Sequence, residues 1–409
     1  MSAASPLAPA RFSELPPIAG VRLAACEAGV RYKGRTDLMI AELAPGSTVA
    51  GVFTQSQMPG QPVIWCRQCL PHGRIRAIVV NSGNANVFTG RAGWQVVEST
   101  AAAAARLIDC APNEVYIAST GVIGEPPPSD IIAAALPKAI SSLATDAWEH
   151  AARAIMTTDT FPKGATATAS IDSIPVRING FCKGSGMIAP DMATMLAYVF
   201  TDASLPQTVL QPLLVAANER SFNSMTVDGD TSTSDTVLLS ATQQACHAAI
   251  TSAEDPRLAE FRTALASVMT DLAKQVARDG EGAQKFVTIE VTGAESDNAA
   301  RRIGLTIGNS PLVKTAIAAG DANWGRIVMA VGRAGEKADR DRLAITVGGV
   351  QIAAEGGPVP GYDEGPVSEH MKGREIRIAV DLGIGSGQAT VWSCDLTHGY
   401  IDINGSYRS

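Results

Sequence analysis

A threonine that follows a small residue, where a glycine-rich loop meets an apolar run, can do one specific piece of chemistry. In Lys183-Gly-Ser-Gly-Met-Ile-Ala-Pro-Asp-Met-Ala-Thr194-Met-Leu-Ala-Tyr-Val-Phe-Thr-Asp202 two glycines and a proline keep the first half irregular. The second half, from Thr194, reads as a buried strand. Cutting the Ala193–Thr194 bond would make Thr194 a new N-terminus, with its hydroxyl within reach of its own amine. An α-amine has a reference pKa of about 7.7–8.0, so it accepts a proton near neutral pH and can turn the threonine into a covalent nucleophile. The plainer alternative is a threonine that opens a strand, since β-branched residues favour strands in any case.

Other motifs compete for attention and carry less. Gly184-Ser-Gly186-Met-Ile-Ala189 fits the dinucleotide fingerprint, which requires a helix opening beneath its last position. Pro190 and Asp191 follow at once and lead into a strand pattern, which argues against a dinucleotide. Cys66-Arg-Gln-Cys69 has His72 nearby but no fourth ligand at a zinc-like spacing, and His150, His247, His370 and His398 add none. Asp228, Asp230 and Asp235 lie in one polar run that lacks the closing Glu of a calcium loop, so it reads as a structured turn near the site. The sequence therefore predicts neither a metal nor a tightly bound cofactor.

Composition narrows the partners. The chain has 409 residues, is 46% hydrophobic and carries a net charge of −7. No Lys/Arg cluster exceeds a pair, which argues against nucleic acid or an anionic membrane and for small metabolites. Seven scattered cysteines in a chain of this size suit a reducing cytoplasm. No run of 18 apolar residues predicts a membrane span. Residues 1–17, rich in Ala, Ser and Pro, read as a disordered tail without an apolar targeting core.

The elements that must position Thr194 are short. Residues 47–54 read as a strand, and 77–86 as a buried strand ending in the polar turn Asn81-Ser-Gly-Asn-Ala-Asn86, with an alanine-rich helix over 93–108. Asn in such a turn more often bonds its own backbone than a ligand. Residues 114–125 repeat the strand-to-loop pattern, 130–154 read as helical, and 156–163 form a dense polar turn. Helices are expected over 209–220 and 256–278, and strands over 286–291, 375–381, 388–394 and 400–404. Strands and helices that alternate in no strict βαβ order predict an α/β (α+β) layered fold with mixed β-sheets covered by helices.

Four stretches together carry a resemblance. Met192-Ala-Thr-Met-Leu196, the turn 81–86, the polar run 221–236 and the closing Ile403-Asn-Gly-Ser-Tyr-Arg-Ser409 resemble the ornithine acetyltransferases, also called glutamate N-acetyltransferases. Members of that family cut themselves before the threonine of a Met-Ala-Thr-Met-Leu run. The likeness spans residues 20–409 and departs at 57–63, at Ser234, where Asn is expected, and at Gly405, where Ala is expected.

The resemblance implies autocatalytic cleavage between Ala193 and Thr194, with Thr194 as nucleophile and Thr120 with Gly121 as oxyanion hole. It implies that Thr157, Lys183, Thr194, Glu281, Asn404 and Ser409 bind substrate. Lys183 would meet a carboxylate as a point charge, and Glu281 would receive the side-chain ammonium of ornithine. The implied reaction moves an acetyl group from N2-acetylornithine to glutamate in cyclic arginine biosynthesis. Residues 1–193 and 194–409 would become alpha and beta chains of one folded body, paired as a heterotetramer. No motif decides whether acetyl-CoA is a second donor. A threonine amidohydrolase or aminopeptidase, which hands the acyl group to water, is the rival reading, and a non-catalytic binding protein would not cut itself.

Overall fold

The computed structural model describes residues 4–31, 33–127, 130–189 and 195–405. Among these, the strands in chain order are β1 (Val21–Cys26), β2 (Leu38–Leu43), β3 (Thr48–Phe53), β4 (Ala77–Asn84), β5 (Val115–Val122), β6 (Lys163–Ile171), β7 (Ile174–Lys183), β8 (Leu196–Thr201) and β9 (Thr236–Ala241). They continue as β10 (Phe286–Ala294), β11 (Ala344–Val347), β12 (Val350–Ala354), β13 (Gly357–Pro358), β14 (Glu375–Asp381) and β15 (Gly387–Cys394). They form a four-stranded sheet, β1-β2-β4-β5, a five-stranded sheet, β3-β9-β8-β7-β6, and a six-stranded sheet, β13-β12-β11-β14-β10-β15.

The first two sheets stack face to face, and period-two alternation explains how. In β2, Met39, Ala41 and Leu43 point into the core between the sheets, while Leu38 and Ile40 point outward beneath the helices Gly90–Ile108 and Ile131–Ser141. In β8, Leu196, Tyr198 and Phe200 enter the same intersheet core, while Ala197 and Val199 face the helices Gln207–Glu219 and Ala259–Arg278. The result is four layers, helix, sheet, sheet, helix. Because β8 is covered on both faces, every one of its residues is buried and it reads as a continuous apolar run. The six-stranded sheet makes its own core with the helices Asp297–Gly308, Pro311–Ala318, Trp324–Gly332 and Glu364–Lys372. The predicted mixed, helix-covered class is the one observed. Among the described residues, no helix is long and apolar enough to cross a membrane.

Three local expectations are corrected. The N-terminal tail, as described from residue 4, packs onto the body: Leu7 and Leu15 are buried, and the Ser5 amide donates to Thr160 Oγ1 at 2.9 Å. Sparse apolar residues at 7, 12, 15 and 18 each find a core neighbour, which composition alone does not reveal. The helical reading of 130–154 splits into Ile131–Ser141 and Trp148–Ala154, because Ala144 leaves the helix to exchange backbone hydrogen bonds with Leu23 at the edge of β1. Residues 400–404 are helical, within His398–Gly405, rather than a strand. That turn of helix is started by Thr397, which accepts the Gly399 and Tyr400 amides at 3.2 Å through its hydroxyl and its carbonyl respectively.

Candidate active site

The site is assembled at strand ends. β4 and β5 run parallel, with Ser82 beside Thr120 and Gly83 beside Gly121. Gly121 has φ 129°, and a Cβ there would lie 2.4 Å from the Gly83 carbonyl carbon, so this position admits only glycine. Lys183 ends β7 opposite Leu196 of β8, and Leu196 lies beside Thr236 of β9. The strand that follows the expected cleavage point, β8, therefore lies in the middle of the five-stranded sheet. Ala193 and Thr194 themselves, like Ser409, lie outside the described residues.

A cavity of about 300 Å³ opens at these ends, and its lining includes Thr120, Gly121, Thr157, Lys183, Glu281 and Asn404 as well as Thr158, Met187 and Ser232–Ser234. Six positions singled out in the sequence, spread over 285 places in the chain, thus share one wall. The turn 81–86 stands behind it. Asn81 and Asn84 donate to the backbone carbonyls of Asn84 and Glu125, and Asn86 donates to that of Gly93, so these side chains brace the turn and only Ala85 reaches the cavity.

The cavity joins one cation to one carboxylate. Lys183 is 3% exposed, and burial pulls its ammonium below the ordinary lysine range against the opposing charge of Asp159. Glu281 is 6% exposed rather than a surface acid, and burial pushes its carboxyl up although Asn404 and Thr158 hydrogen-bond to it. Asn404 Nδ2 donates to Glu281 Oε2 at 2.6 Å. Gly186 makes room for this acid, since a Cβ there would sit 2.4 Å from its carboxyl carbon.

Sequence reasoning missed the strut beneath the cavity. Lys163, with no exposed surface, donates to Asp159 Oδ1 at 2.7 Å and Asp279 Oδ2 at 2.6 Å. Asp159 also accepts the Gly184 amide at 2.7 Å and the Thr157 amide at 3.1 Å, and Asp279 lies two residues before Glu281. One ammonium therefore ties together the segments that carry Thr157, Lys183 and Glu281. Burial opposes the charge on Lys163, but the two carboxylates outweigh it and hold its pKa above the ordinary value. The signal available was Asp and Lys four residues apart inside a dense polar turn.

A lysine and a carboxylate facing one cavity, with a glycine at a buried strand end, suit a small molecule that carries both charges. The family model described as the ArgJ family matches residues 22–409. The arginine biosynthesis bifunctional protein ArgJ of Gluconobacter oxydans is 61% identical over 405 residues, covering 99% of this chain and 95% of that one. Its namesake in Brucella suis is 55% identical over 408 residues, covering 99% of each. The crystal structure of arginine biosynthesis bifunctional protein ArgJ from Bacillus halodurans aligns with TM-score 0.51 and 42% identity, covering 52% of this chain and all of that one. The chain belongs to the ArgJ family.

Proposed function

We propose that the chain cuts itself before Thr194 and then carries an acetyl group from N2-acetylornithine to glutamate, as an enzyme of arginine biosynthesis. The observation that carries this reading is the shared cavity of Thr120, Gly121, Thr157, Lys183, Glu281 and Asn404 beside the start of β8. In the first stage Thr194 Oγ attacks the Ala193 carbonyl carbon, the Ala193–Thr194 C–N bond breaks as the ester C–O bond forms, and water splits the ester. In the second stage the freed amine takes the hydroxyl proton while Oγ attacks the acetyl carbonyl. Thr120 and the Gly121 amide stabilise the oxyanion, Lys183 holds a carboxylate and Glu281 an ammonium. Ornithine leaves, glutamate enters the same site, and its amine takes the acetyl group from the threonine ester.

A nucleophile that supplies its own base calls on no cofactor. Acetyl-CoA enters as a co-substrate, a second acetyl donor to glutamate, and the word bifunctional in the relatives' names supports it. The solved relative matches along its full length and covers 52% of this chain. The products 1–193 and 194–409 stay joined, because β3, β6 and β7 precede the cut while β8 and β9 follow it in one sheet. Pairing into a tetramer of two alpha and two beta chains, in the cytoplasm, completes the reading.

A denaturing gel and an acceptor assay test it. Two bands near half of 42.4 kDa and N-acetylglutamate formed from acetylornithine are expected. A single uncut band, or acetate released with glutamate ignored, would turn the reading toward a binding protein or an amidohydrolase.

A further inference from the structure

The run from Asp228 to Asp235 supplies Ser232, Thr233 and Ser234 to the cavity, yet the reading above gives its aspartates no task. Their partners are specific. Asp228 accepts the Met187 amide at 2.6 Å and the Ile188 amide at 2.8 Å, and the Ile188 carbonyl accepts the Val227 amide at 2.9 Å. Asp235 Oδ1 accepts the Met195 amide at 2.7 Å, and the Met195 carbonyl accepts the Thr236 amide at 3.0 Å. Both backbone groups of Ile188 and both of Met195 are thus held by this one segment. The chain joining Ile188 to Met195 contains the Ala193–Thr194 bond. Asp228 also accepts the Asp230 amide at 3.2 Å and the Tyr400 hydroxyl at 3.4 Å, so backbone amides make the shortest bonds to both carboxyls.

We propose that Asp228 and Asp235 are positioning residues for self-cleavage, a two-point clamp that fixes both ends of the stretch 188–195 so that the Thr194 hydroxyl meets the Ala193 carbonyl carbon. The proposal rests on the reading that the chain cuts itself before Thr194. Carboxyl oxygens suit the task, since each is a strong acceptor and these bonds are short, 2.6–2.8 Å. Fixing both ends of a short segment removes freedom that an intramolecular attack must otherwise overcome. Neither carboxylate is consumed: the ester C–O bond forms, the Ala193–Thr194 C–N bond breaks, and the hydroxyl proton ends on the freed amine.

The test is a time course of cutting after a pulse of cell-free synthesis, read as conversion of the full-length band, with thermal melting of each variant as a check on folding. Asp228→Ala and Asp235→Ala should each slow cutting about tenfold or more, Asp235→Asn, which keeps an oxygen for the Met195 amide, should stay within about threefold of wild type, and Asp228→Asn, which keeps one of the two oxygens that accept the Met187 and Ile188 amides, should fall between. Folded alanine variants that cut at the wild-type rate overturn the clamp. Asparagine variants as slow as the alanines also overturn it, since charge or proton transfer would then be what matters. If the alanines do not fold, the asparagines decide by the same standard. A wild type that never cuts sinks the self-cleavage reading itself, a different result from any of these.

Discussion

Asn404 donates its side-chain amide to Glu281 across 123 places in the sequence, tying the helix His398–Gly405 to the turn that follows the helix Ala259–Arg278. The same amide also donates to the Tyr400 carbonyl at 3.0 Å, so its orientation is fixed from both sides. Asn404→Ala removes the hydrogen bond between the terminal helix and the acid. The Michaelis constants for acetylornithine and for glutamate should rise about tenfold, with cutting unaffected. Unchanged constants in fully cut enzyme would separate this pair from substrate binding.

Thr120 lines the cavity at the end of β5 with its neighbour Gly121 fixed by close approach to Gly83. As an oxyanion donor it matters mainly in the transition state. Thr120→Ala should lower kcat by about 10²–10³ with a smaller change in KM, read from steady-state kinetics. A raised KM with kcat intact would assign Thr120 to ground-state binding.

The strut makes a sharper claim about stability. Lys163→Met leaves Asp159 and Asp279 buried without their shared cation, and breaking such a pair costs about 3–5 kcal/mol. Denaturant unfolding should show an unfolding free energy lower by that amount, and Asp279→Asn, which keeps the ammonium paired with Asp159, should cost less. Equal losses would mean that the two ion pairs do not share one cation's work.

Lys183 predicts a dependence on pH. Its buried ammonium has a pKa below the ordinary 10.5, so between the two values the unfolded chain binds a proton that the folded chain releases. Stability then rises with pH across that window, and the cost of burying the charge is fully present below it. Lys183→Met should melt at or above the wild-type temperature at pH 7, and the gap should shrink toward pH 10, while KM for both substrates rises. A gap that widens with pH would reverse the sign of the argument.

The layered class was legible because β4 and β8 carry the apolar runs their two covered faces demand. The site positions came from the resemblance rather than from local spacing, and Thr120, Thr157, Lys183, Glu281 and Asn404 line one cavity. Their support was not legible. The bonds from Lys163 to Asp279 and from Asp235 to Met195 join residues 116 and 40 places apart, and no local spacing announces them. The terminal segment read as a strand because Ile401 and Ile403 alternate with Asp402 and Asn404, but Thr397 and Gly282 offer a helix start and no free sheet edge. Thr194 and Ser409, the two ends of the sequence argument, lie outside the described residues.

The five-stranded sheet interleaves strands from both sides of residue 194, with β8 between β7 and β9 and β9 against β3. Before the cut these pairings are internal to one polymer, and folding is a first-order event. After the proposed cut they would join two polymers, and a mature molecule once unfolded would re-form its sheet by collision. Recovery from denaturation should then depend on concentration in the cut protein and not in an uncut Thr194→Ala chain. The peptide bond before Thr194 would thus act as a template for assembly that is used a single time and leaves behind a protein whose native state it can no longer regenerate at high dilution.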